Sequence, residues 1–534
     1  MLTDRPRWWH AVAAVPAGAL PALSFPAPAL WWFAYVALVP WMLLLRAAPT
    51  GRRAALMGWL GGAGFILAVH HWLLPSLHVF LFPLAALLGV LWIPWGLLVR
   101  RLLGGAVAAG RASAALVLVP AGWLLSEQLR SWQGLGGPWG LLGASQWQVA
   151  PALRLASVGG VWLLSLLIVA VNCALVLLVA APAARIPAAA GVSGCALLTG
   201  AVWLWLPGPT PAGQLRVAVV QIGPQGAAAG IEQRFATGER LTRQLVGRRL
   251  DLVVWGESSV GADLAARPDL ARRLADLSAR VGAPLLVNVD ARRTADGSGG
   301  APGIYKSAVL VGPRGPTGER YDKMRLVPFG EYIPARAVLG WVTSAGKAAA
   351  EDRRPGSAPV VMELPGAAAG TGAGAGPATE VRIGPLVCFE SAFPDMSRHL
   401  TREGAALLVD QSSTATFQGS WAPAQHASLG ALRAAENGRP TVHATLTGIS
   451  EVHGPSGELV GPPLPGSASA AQVYEVPLAR GTTLYVRFGD WPVAAALGAL
   501  AVYCAGEGVR ALRGGSLRRP VPEPSAPRAR TARG

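Results

Sequence analysis

Three polar side chains follow apolar, strand-like runs and could together perform covalent catalysis. Glu257 comes after the run 251–255 (DLVVW), Cys388 lies in the run 383–389 (IGPLVCF), and Lys323 lies in a loop-like segment between them. Binding and catalytic sites in α/β folds are usually built at the carboxyl ends of strands. This placement predicts a site that contains a carboxylate, an ammonium and a thiol.

Each of these residues also has an ordinary structural explanation. A glutamate at a strand end is usually solvated, a cysteine there is usually a small core residue, and a lysine in a loop usually faces solvent. Two observations favour catalysis. Cys388 is the single cysteine between residues 216 and 487, and Lys323 is one of only three lysines among 46 basic residues. Because arginine supplies almost every other positive charge in this chain, a position that has lysine instead suggests a task that needs a primary amine.

The three groups would form a coherent chemical unit. A thiol with an ordinary pKa of about 8.5 is a weak nucleophile near neutral pH unless a base or a cation assists it. Glu257 could accept the thiol proton and return it to a leaving group, while the Lys323 ammonium could stabilise a thiolate and an oxyanion. Such groups perform acyl transfer through a thioester, and no histidine is required. The other lysines, Lys306 and Lys347, have no role that the sequence supports.

Residues 216–487 alternate strand-like and helix-like segments, which predicts an α/β domain with its own core. The predicted strands are 216–221, 251–255, 284–289, 307–311, 383–389, 406–409 and 441–446, and the predicted helices are 230–249, 267–281 and 423–436. A Gly- and Ala-rich stretch at 366–379 predicts a flexible loop. The Pro- and Arg-rich end from residue 520 is typical of disordered tails.

The rest of the chain is too apolar for a soluble protein. Of its 534 residues 52% are hydrophobic and 14% are charged, whereas soluble domains carry about 25% charge. Because a membrane span needs about 20 apolar residues, the uncharged runs predict about eight spans, seven before residue 215 and one near the C-terminus. The predicted domains are a membrane domain at 1–215, the α/β domain at 216–487, a last span at 488–512 and a tail at 513–534.

The placement of arginine predicts how the chain crosses the membrane. With a cytoplasmic N-terminus, 16 basic residues flank the spans on the inside and 2 on the outside, as the positive-inside rule requires. Both termini are then cytoplasmic and the α/β domain lies on the outer face. The net charge of +17 follows from this topology, so nucleic acid is not an expected partner. Of the 20 tryptophans, 17 lie in or beside the spans, which predicts interfacial anchoring.

Other functional classes find little support. Four cysteines without a C-x-x-C pair predict no disulfide scaffold, and eight histidines without H-E-x-x-H spacing predict no metal site. No cofactor is expected. A membrane pore would carry polar chemistry inside its spans, but only Glu127 and Arg130 do so, near the end of one span.

The reactive segments form three motifs. They are W-x-E at 255–257, Y-D-K-x-x-L-V-P-F-G-E-Y-x-P at 321–334 and C-F-E at 388–390. Together they resemble the signature of the apolipoprotein N-acyltransferase family, the membrane-embedded branch of the nitrilase (carbon–nitrogen hydrolase) superfamily. The lysine segment is highly specific, whereas W-x-E alone is not. Further segments that fit this family lie at 123–132, 136–146, 424–426, 433–440 and 487–491.

This resemblance implies an αββα sandwich on the outer face of the bacterial cytoplasmic membrane. It implies that Glu257 is the general base, Lys323 the stabilising cation and Cys388 the nucleophile. Glu331 and Glu390 match supporting carboxylates that orient Lys323 and the intermediate. The implied reaction moves an acyl chain from a membrane phospholipid, through a thioester on Cys388, to the N-terminal α-amine of a diacylglyceryl-modified apolipoprotein. This is the last step of lipoprotein maturation.

The sequence departs from the family pattern in several places, and the loop after Gln221, for example, lacks an aromatic residue that is usual there. Gly256 replaces the usual proline, and 410–417 (DQSSTATF) replaces an N-D-x-W-F loop that normally lines the way in for substrate. Phe417, in this loop, is therefore a candidate substrate-access residue. Trp341, on the apolar segment 335–345, is a second candidate, as part of a lid that dips into the membrane. Trp341 could equally pack in a core.

Two other functions stay open. A membrane-anchored amidase or nitrilase-type hydrolase would use the same three groups with water as the acceptor, although seven preceding spans exceed what a simple anchor needs. A non-catalytic lipoprotein-binding or transport protein would not need all three groups.

Overall fold

The computed structural model describes residues 8–224, 230–293, 302–340, 351–369 and 379–516. Trp341, Lys347, most of the predicted flexible loop at 366–379 and the tail from residue 517 lie outside the described residues. Within them the chain forms a helical part, a part with two sheets, and a final long helix.

The helical part occupies most of the chain before residue 206. Its α-helices are α1 (Trp8–Ala19), α2 (Val39–Arg46), α3 (Gly51–Val69), α4 (Leu74–Leu77), α5 (Leu81–Gly89), α6 (Ile93–Leu103), α7 (Ala109–Arg130), α8 (Ala150–Ala180) and α9 (Arg185–Trp205). The later helices are α10 (Ile231–Arg243), α11 (Pro268–Val281), α12 (Arg336–Leu339), α13 (Pro394–Arg402), α14 (Ala422–Asn437), α15 (Leu484–Phe488) and α16 (Trp491–Ser516).

Several of these helical stretches can cross a membrane. Five described stretches are long and apolar enough: His71–Leu103, Ala109–Arg130, Ala150–Ala180, Pro182–Trp205 and Trp491–Leu512. Two shorter apolar stretches, Ala11–Ser24 and Trp31–Arg46, and the 19-residue helix α3 accompany them. The chain is therefore built as a polytopic membrane protein. Its count of eight spans and its orientation stay predictions.

Tryptophans fill the interior of the helical part. Trp41, Trp92, Trp95 and Trp123 are at most 1% exposed. Their rings meet one another and Phe65 edge to face at centroid distances of 4.8 to 6.1 Å, a geometry that suits the positive edge and negative face of aromatic rings. The prediction of interfacial anchoring is wrong for these four tryptophans, because they pack where the helices cross.

Two facing sheets form the centre of the α/β part. Among the described residues one sheet has the order β11-β1-β2-β3-β4-β5 and the other β10-β9-β8-β7-β6. The strands are β1 (Thr210–Gln221), β2 (Leu252–Trp255), β3 (Leu285–Arg293), β4 (Gly303–Gly312), β5 (Gly315–Asp322), β6 (Met362–Ala369), β7 (Thr379–Val387), β8 (Leu407–Ser412), β9 (Thr441–Thr445), β10 (Glu451–His453) and β11 (Ala470–Arg480).

Helices cover the outer faces of both sheets. Apolar residues of α10 and α11 share a core with β1, β2 and β3, while α13 and α14 pack on the second sheet. The predicted αββα sandwich is confirmed, and each predicted strand overlaps an observed one. The strands β5, β6, β10 and β11 were not predicted; the segments of β5, β6 and β10 are polar, glycine-containing or very short, whereas β11 is a mostly apolar segment that was overlooked.

A kink in α8 joins the two parts. Gly160 has φ 66° and ψ −171°, outside the helical region, and a Cβ atom there would lie 2.7 Å from the ring of Tyr485. Immediately after the kink, the Val161 N–H donates to Glu436 Oε1 at 2.8 Å. Because Glu436 belongs to α14, this bond ties the α/β part directly to a helix of the membrane part.

We expect Gly160→Ala to destabilise the protein. A side chain at this dihedral pair costs about 1–3 kcal/mol in backbone strain alone, and the overlap with Tyr485 adds to it. Thermal unfolding of the purified protein in detergent should show a clearly lowered Tm. Gly194→Ala is the matched control, because a Cβ at that helical position of α9 meets nothing within 4 Å. An equal Tm for the two variants would contradict the assigned role of the kink.

Candidate active site

Glu257, Lys323 and Cys388 come together where the two sheets face each other. They follow the ends of β2, β5 and β7, respectively, and β7 belongs to the opposite sheet from the other two strands. The Glu257 N–H donates to the Ser412 carbonyl at the end of β8 at 3.1 Å. This backbone bond between the sheets places the carboxylate on the side of the thiol.

Two backbone features fix the ends of these strands. A Cβ on Gly256 would lie 2.0 Å from the Leu446 nitrogen, so only glycine allows this close approach, which accounts for glycine where the resemblance leads one to expect proline. Cys388 and Ser258 have φ angles of 55° and 57°. Left-handed backbone at non-glycine residues stores strain and is concentrated at functional sites.

The predicted base belongs to a group of four charged side chains, three of them buried. Lys323 Nζ lies 3.3 Å from Glu257 Oε1 and 2.9 Å from Glu331 Oε1. Lys306 Nζ lies 2.7 Å from the same Glu257 oxygen and 3.1 Å from the same Glu331 oxygen. We call Glu257, Lys306, Lys323 and Glu331 the four-charge cluster. Its two ammonium groups and two carboxylates have no net charge. Sequence reasoning missed Lys306.

Burial and charge pairing oppose each other in the four-charge cluster. Burial disfavours the carboxylate of Glu257, but the ammonium groups of Lys306 and Lys323 outweigh it and lower the pKa below its ordinary value. The same balance lowers the pKa of Glu331 to about 2, with Lys323 as the strongest favourable partner. The two carboxylates in turn raise the pKa of Lys323 well above its ordinary value against the effect of burial. All four groups are therefore ionised at neutral pH.

The thiol of Cys388 is neutral at rest. Burial, followed by the negative charge of Glu257, raises its pKa to about 12, although Lys323 acts in the opposite direction. Its Sγ is 3.9 Å from the Ser413 carbonyl oxygen. A thiol in this state reacts only when a base removes its proton as the new bond forms, and Glu257 is an ionised base beside it.

Glu390 connects the lysine loop to the cysteine. Its Oε1 accepts from the Tyr321 hydroxyl at 2.7 Å and from the backbone N–H groups of Met324 and Arg325 at 2.7 and 3.0 Å. Its Oε2 accepts from the Val387 N–H at 2.8 Å. Glu390 thus holds the backbone on either side of the site, whereas Glu331 contacts the Lys323 ammonium directly.

A hydrogen-bonded group lies on the other side of Cys388. His426 Nε2 is 3.0 Å from the Cys388 carbonyl oxygen, and its Nδ1 is 3.1 Å from Ser412 Oγ. His443 Nδ1 is 2.8 Å from Asp410 Oδ2. Burial lowers the pKa of both histidines to about 4 and raises that of Asp410 to about 7.

The same three side chains have the composition of a metal site. Ligand-type atoms of Asp410, His426 and His443 lie within 4.8 Å of one another. Three of their imidazole nitrogens already sit at hydrogen-bond distance from oxygen atoms of Cys388, Ser412 and Asp410. We interpret the group as a polar network that supports the Cys388 backbone, and the expectation of no metal stays a prediction.

Phe417 lies at the contact between the α/β part and the membrane part. Its ring is 4.8 Å from that of Trp72, which lies in a short turn just after α3, and the rings of Trp72 and Trp139 are 5.3 Å apart. The Trp139 Nε1–H donates to Gln425 Oε1 on α14 at 2.9 Å. Phe417 is therefore placed on the membrane-facing side of the site. Trp341, the other candidate for substrate access, lies outside the described residues.

A polar cleft of about 680 Å³ also reaches the site. Its lining includes Glu257 and Lys306 from the four-charge cluster, and Asp290, Arg353 and Ser413 around them. The base is thus accessible to polar groups, although its own side chain is only 2% exposed.

Comparison with known families covers both parts of the chain. Residues 17–174 match the model of the apolipoprotein N-acyltransferase N-terminal domain. Residues 216–482 match the carbon–nitrogen hydrolase model.

Individual relatives match over nearly their full length. Apolipoprotein N-acyltransferase of Geobacter metallireducens is 31% identical over 89% of this chain and 91% of the relative. The enzyme of Azotobacter vinelandii is also 31% identical, over 92% and 93%, and that of Pseudomonas aeruginosa is 30% identical over 94% and 96%. Among solved structures, an amidase from Nesterenkonia sp. is 18% identical, with a TM-score of 0.33 over 50% of this chain and 92% of the amidase.

We expect Glu390→Gln to destabilise the site more than Tyr321→Phe does. The phenylalanine removes one donor and leaves Glu390 with three N–H partners. The glutamine side chain has one amide oxygen and one NH₂ group. Its NH₂ group must therefore face a backbone N–H group that donates to the carboxylate in the wild type. The expected losses are about 1 kcal/mol for the hydroxyl and about 2–3 kcal/mol for the mismatched buried amide. Denaturant unfolding of the two variants beside wild type measures both, and the reverse order would contradict the assigned contacts.

Proposed function

The chain belongs to the apolipoprotein N-acyltransferase family, and we propose that it carries out its acyl transfer through a thioester on Cys388. It is an acyltransferase with a carbon–nitrogen hydrolase catalytic domain, and it acts on lipoproteins in a membrane. The observation that supports Cys388 is its position beside an ionised glutamate, Glu257, and a buried ammonium, Lys323. The acyl donor we propose is a membrane phospholipid.

The first half-reaction forms the acyl-enzyme. The Cys388 sulfur attacks the ester carbonyl of the phospholipid while the thiol proton passes to the Glu257 carboxylate. The Lys323 ammonium stabilises the oxyanion of the tetrahedral intermediate. When this intermediate collapses, the carbon–oxygen bond breaks, the lysophospholipid oxygen takes the proton from Glu257, and the acyl chain stays on the sulfur.

The second half-reaction uses the same groups in reverse. The N-terminal α-amine of a diacylglyceryl-modified apolipoprotein attacks the thioester carbonyl and gives a proton to Glu257. The carbon–sulfur bond breaks, the leaving thiolate is stabilised by Lys323, and the proton returns to it. The product is an amide, and Cys388 is a neutral thiol again.

The proton has to move while the sulfur–carbon bond forms. The pKa of the Cys388 thiol is raised to about 12 and that of Glu257 is lowered below its ordinary value, so full transfer before attack is strongly uphill. General-base assistance in the transition state avoids a free thiolate. Because the proton passes to Glu257 itself, that carboxylate becomes neutral as negative charge leaves the sulfur for the carbonyl oxygen, and two negative charges never lie side by side.

We further propose a location for both substrates. The catalytic domain lies on the outer face of the bacterial cytoplasmic membrane, with both termini in the cytoplasm, as the distribution of arginine favours. The contact of Phe417 with Trp72 supports acyl-chain access on the side of the site that faces the membrane part. The domain boundaries we propose remain those at residues 215, 487 and 512.

The test of the thioester is mass spectrometry of the protein after incubation in phospholipid vesicles. We expect a fatty acyl group on Cys388 that hydroxylamine releases, and we expect none in Cys388→Ala. Cys504→Ala is the matched control, because Cys504 is an exposed cysteine of α16, and it should acylate normally. Rapid loss of the acyl group to water without an apolipoprotein would instead identify a hydrolase, and absence of the adduct would exclude the mechanism.

Lys323→Arg should lower the rate of acyl-enzyme formation by at least about 100-fold, the cost of a lost oxyanion donor. The charge is kept, but the planar guanidinium is larger than an ammonium, and the Lys323 side chain is fully buried. Arg354→Lys, an exchange at an exposed arginine, is the control and should leave the rate unchanged. Wild-type activity in Lys323→Arg would show that any cation suffices there.

A further inference from the structure

Lys306 is placed beside Lys323 by the pairing of β4 with β5. The two strands are antiparallel, with Ser307 opposite Asp322, and the Lys323 N–H donates to the Lys306 carbonyl at 2.8 Å. Both lysine side chains therefore reach the same side of the first sheet. Lys306 and Lys323 are neighbours because of the strand register, since they are not close to each other in the sequence.

Both ammonium groups contact the same two carboxylate oxygen atoms, but each lies closer to a different one. Lys306 Nζ is 2.7 Å from Glu257 Oε1, closer than Lys323 Nζ at 3.3 Å, whereas Lys323 is the closer one to Glu331 Oε1, at 2.9 Å against 3.1 Å. Among the described residues, the side-chain contacts of the Glu257 carboxylate all fall on Oε1. Oε2 is thereby left for the reacting groups.

Among the residues that the structure describes, one further carboxylate, Asp290, lies near the Lys306 ammonium. Asp290 Oδ2 lies 3.9 Å from its Nζ but is itself paired with Arg353 at 3.1 Å. Without Lys306, Lys323 alone would have to neutralise both Glu257 and Glu331. It would then be held between two carboxylates when the oxyanion needs it.

We propose that Lys306 is a positioning residue of the acyl-transfer reaction: it holds Glu257 by Oε1 and keeps the carboxylate pair neutralised while Lys323 turns to the oxyanion. This inference rests on the proposed function of Cys388, Glu257 and Lys323. Lys306 suits the role because its side chain is 13% exposed and lines the polar cleft, whereas that of Lys323 is fully buried. Lys306 itself contacts neither the sulfur nor, in this scheme, the substrate.

The proposal predicts a shift in the pH dependence of acylation. Glu257 acts as a base only when ionised, and among its favourable partners Lys306 lowers its pKa most. Loss of that ammonium raises the pKa of Glu257, so activity at the acidic end should be lost at a higher pH than in wild type. The other titratable or charged groups that interact with Glu257 or Lys306 are Lys323, Glu331, Asp290, Arg353, Cys388, Asp410 and His426, and all are unchanged in the variants.

The experiment compares wild type with Lys306→Met, Lys306→Gln and Lys306→Arg in phospholipid vesicles. The rate at which the acyl group appears on Cys388 is measured by mass spectrometry across pH 4 to 9. We expect the methionine and glutamine variants to lose about 10- to 100-fold at neutral pH, with the acidic limb moved up by about one pH unit, the effect of a neighbouring opposite charge. The arginine variant should recover part of the rate and the wild-type limb.

The glutamine variant keeps a polar contact to Glu257 without the charge, so it tests the electrostatic role if the methionine variant does not fold. Alkylation of Cys388 by iodoacetamide provides a readout that needs no lipid, and its pH profile should shift in the same direction. A merely structural role would reduce the amount of active protein without moving either profile. Unmoved profiles in folded Lys306→Gln, with normal acylation of wild type, would overturn the positioning role alone. Failure of wild type to acylate Cys388 would overturn the proposed function as well.

Discussion

The four-charge cluster is the constraint on which the rest of the site depends. Each ion removed from water costs several kcal/mol, and only good pairing geometry offsets this. The pairing needs the end of β2 for Glu257, adjacent positions on β4 and β5 for the lysines, and a tight loop for Glu331. That loop is closed by the Val327 N–H, which donates to Glu331 Oε2 at 2.8 Å. An error in any of these elements would leave a buried charge without a partner.

The membrane part supports the same site from outside the sandwich. Glu127 and Arg130, the polar residues noted in a span, are both buried. Glu127 accepts from the Leu142 N–H at 2.6 Å, and Arg130 donates to the Gly137 carbonyl at 3.2 Å. A Cβ on Gly137 would lie 2.7 Å from the ring of Phe389, next to Cys388. Glu127 and Arg130 therefore fix a loop that packs against the segment of Cys388. This structural role accounts for two polar side chains in a span without a membrane pore.

Sequence reasoning reached the parts of the site that local pattern determines. Glu257 and Cys388 could be found because an apolar strand precedes each, Lys323 because lysine is scarce in this chain, and the family motif adds Glu331 and Glu390. Lys306 could not be found, because its neighbours come from a register set by a hairpin that is irregular between Val309 and Val311. The four buried tryptophans were misplaced for a related reason: composition shows that a residue lies in a span but does not show which face of the helix it occupies.

A charge-neutral cluster suits a reaction in which one base serves two substrates. In the proposed scheme the base takes a proton from the thiol in one half-reaction and from an amine in the other, and it must return to the ionised state after each. A single ammonium that alternated between base and oxyanion would leave one carboxylate unpaired at each tetrahedral intermediate. With two ammonium groups, one can follow the oxyanion while the other stays with the carboxylates, so neither half-reaction has to pass through an uncompensated buried charge.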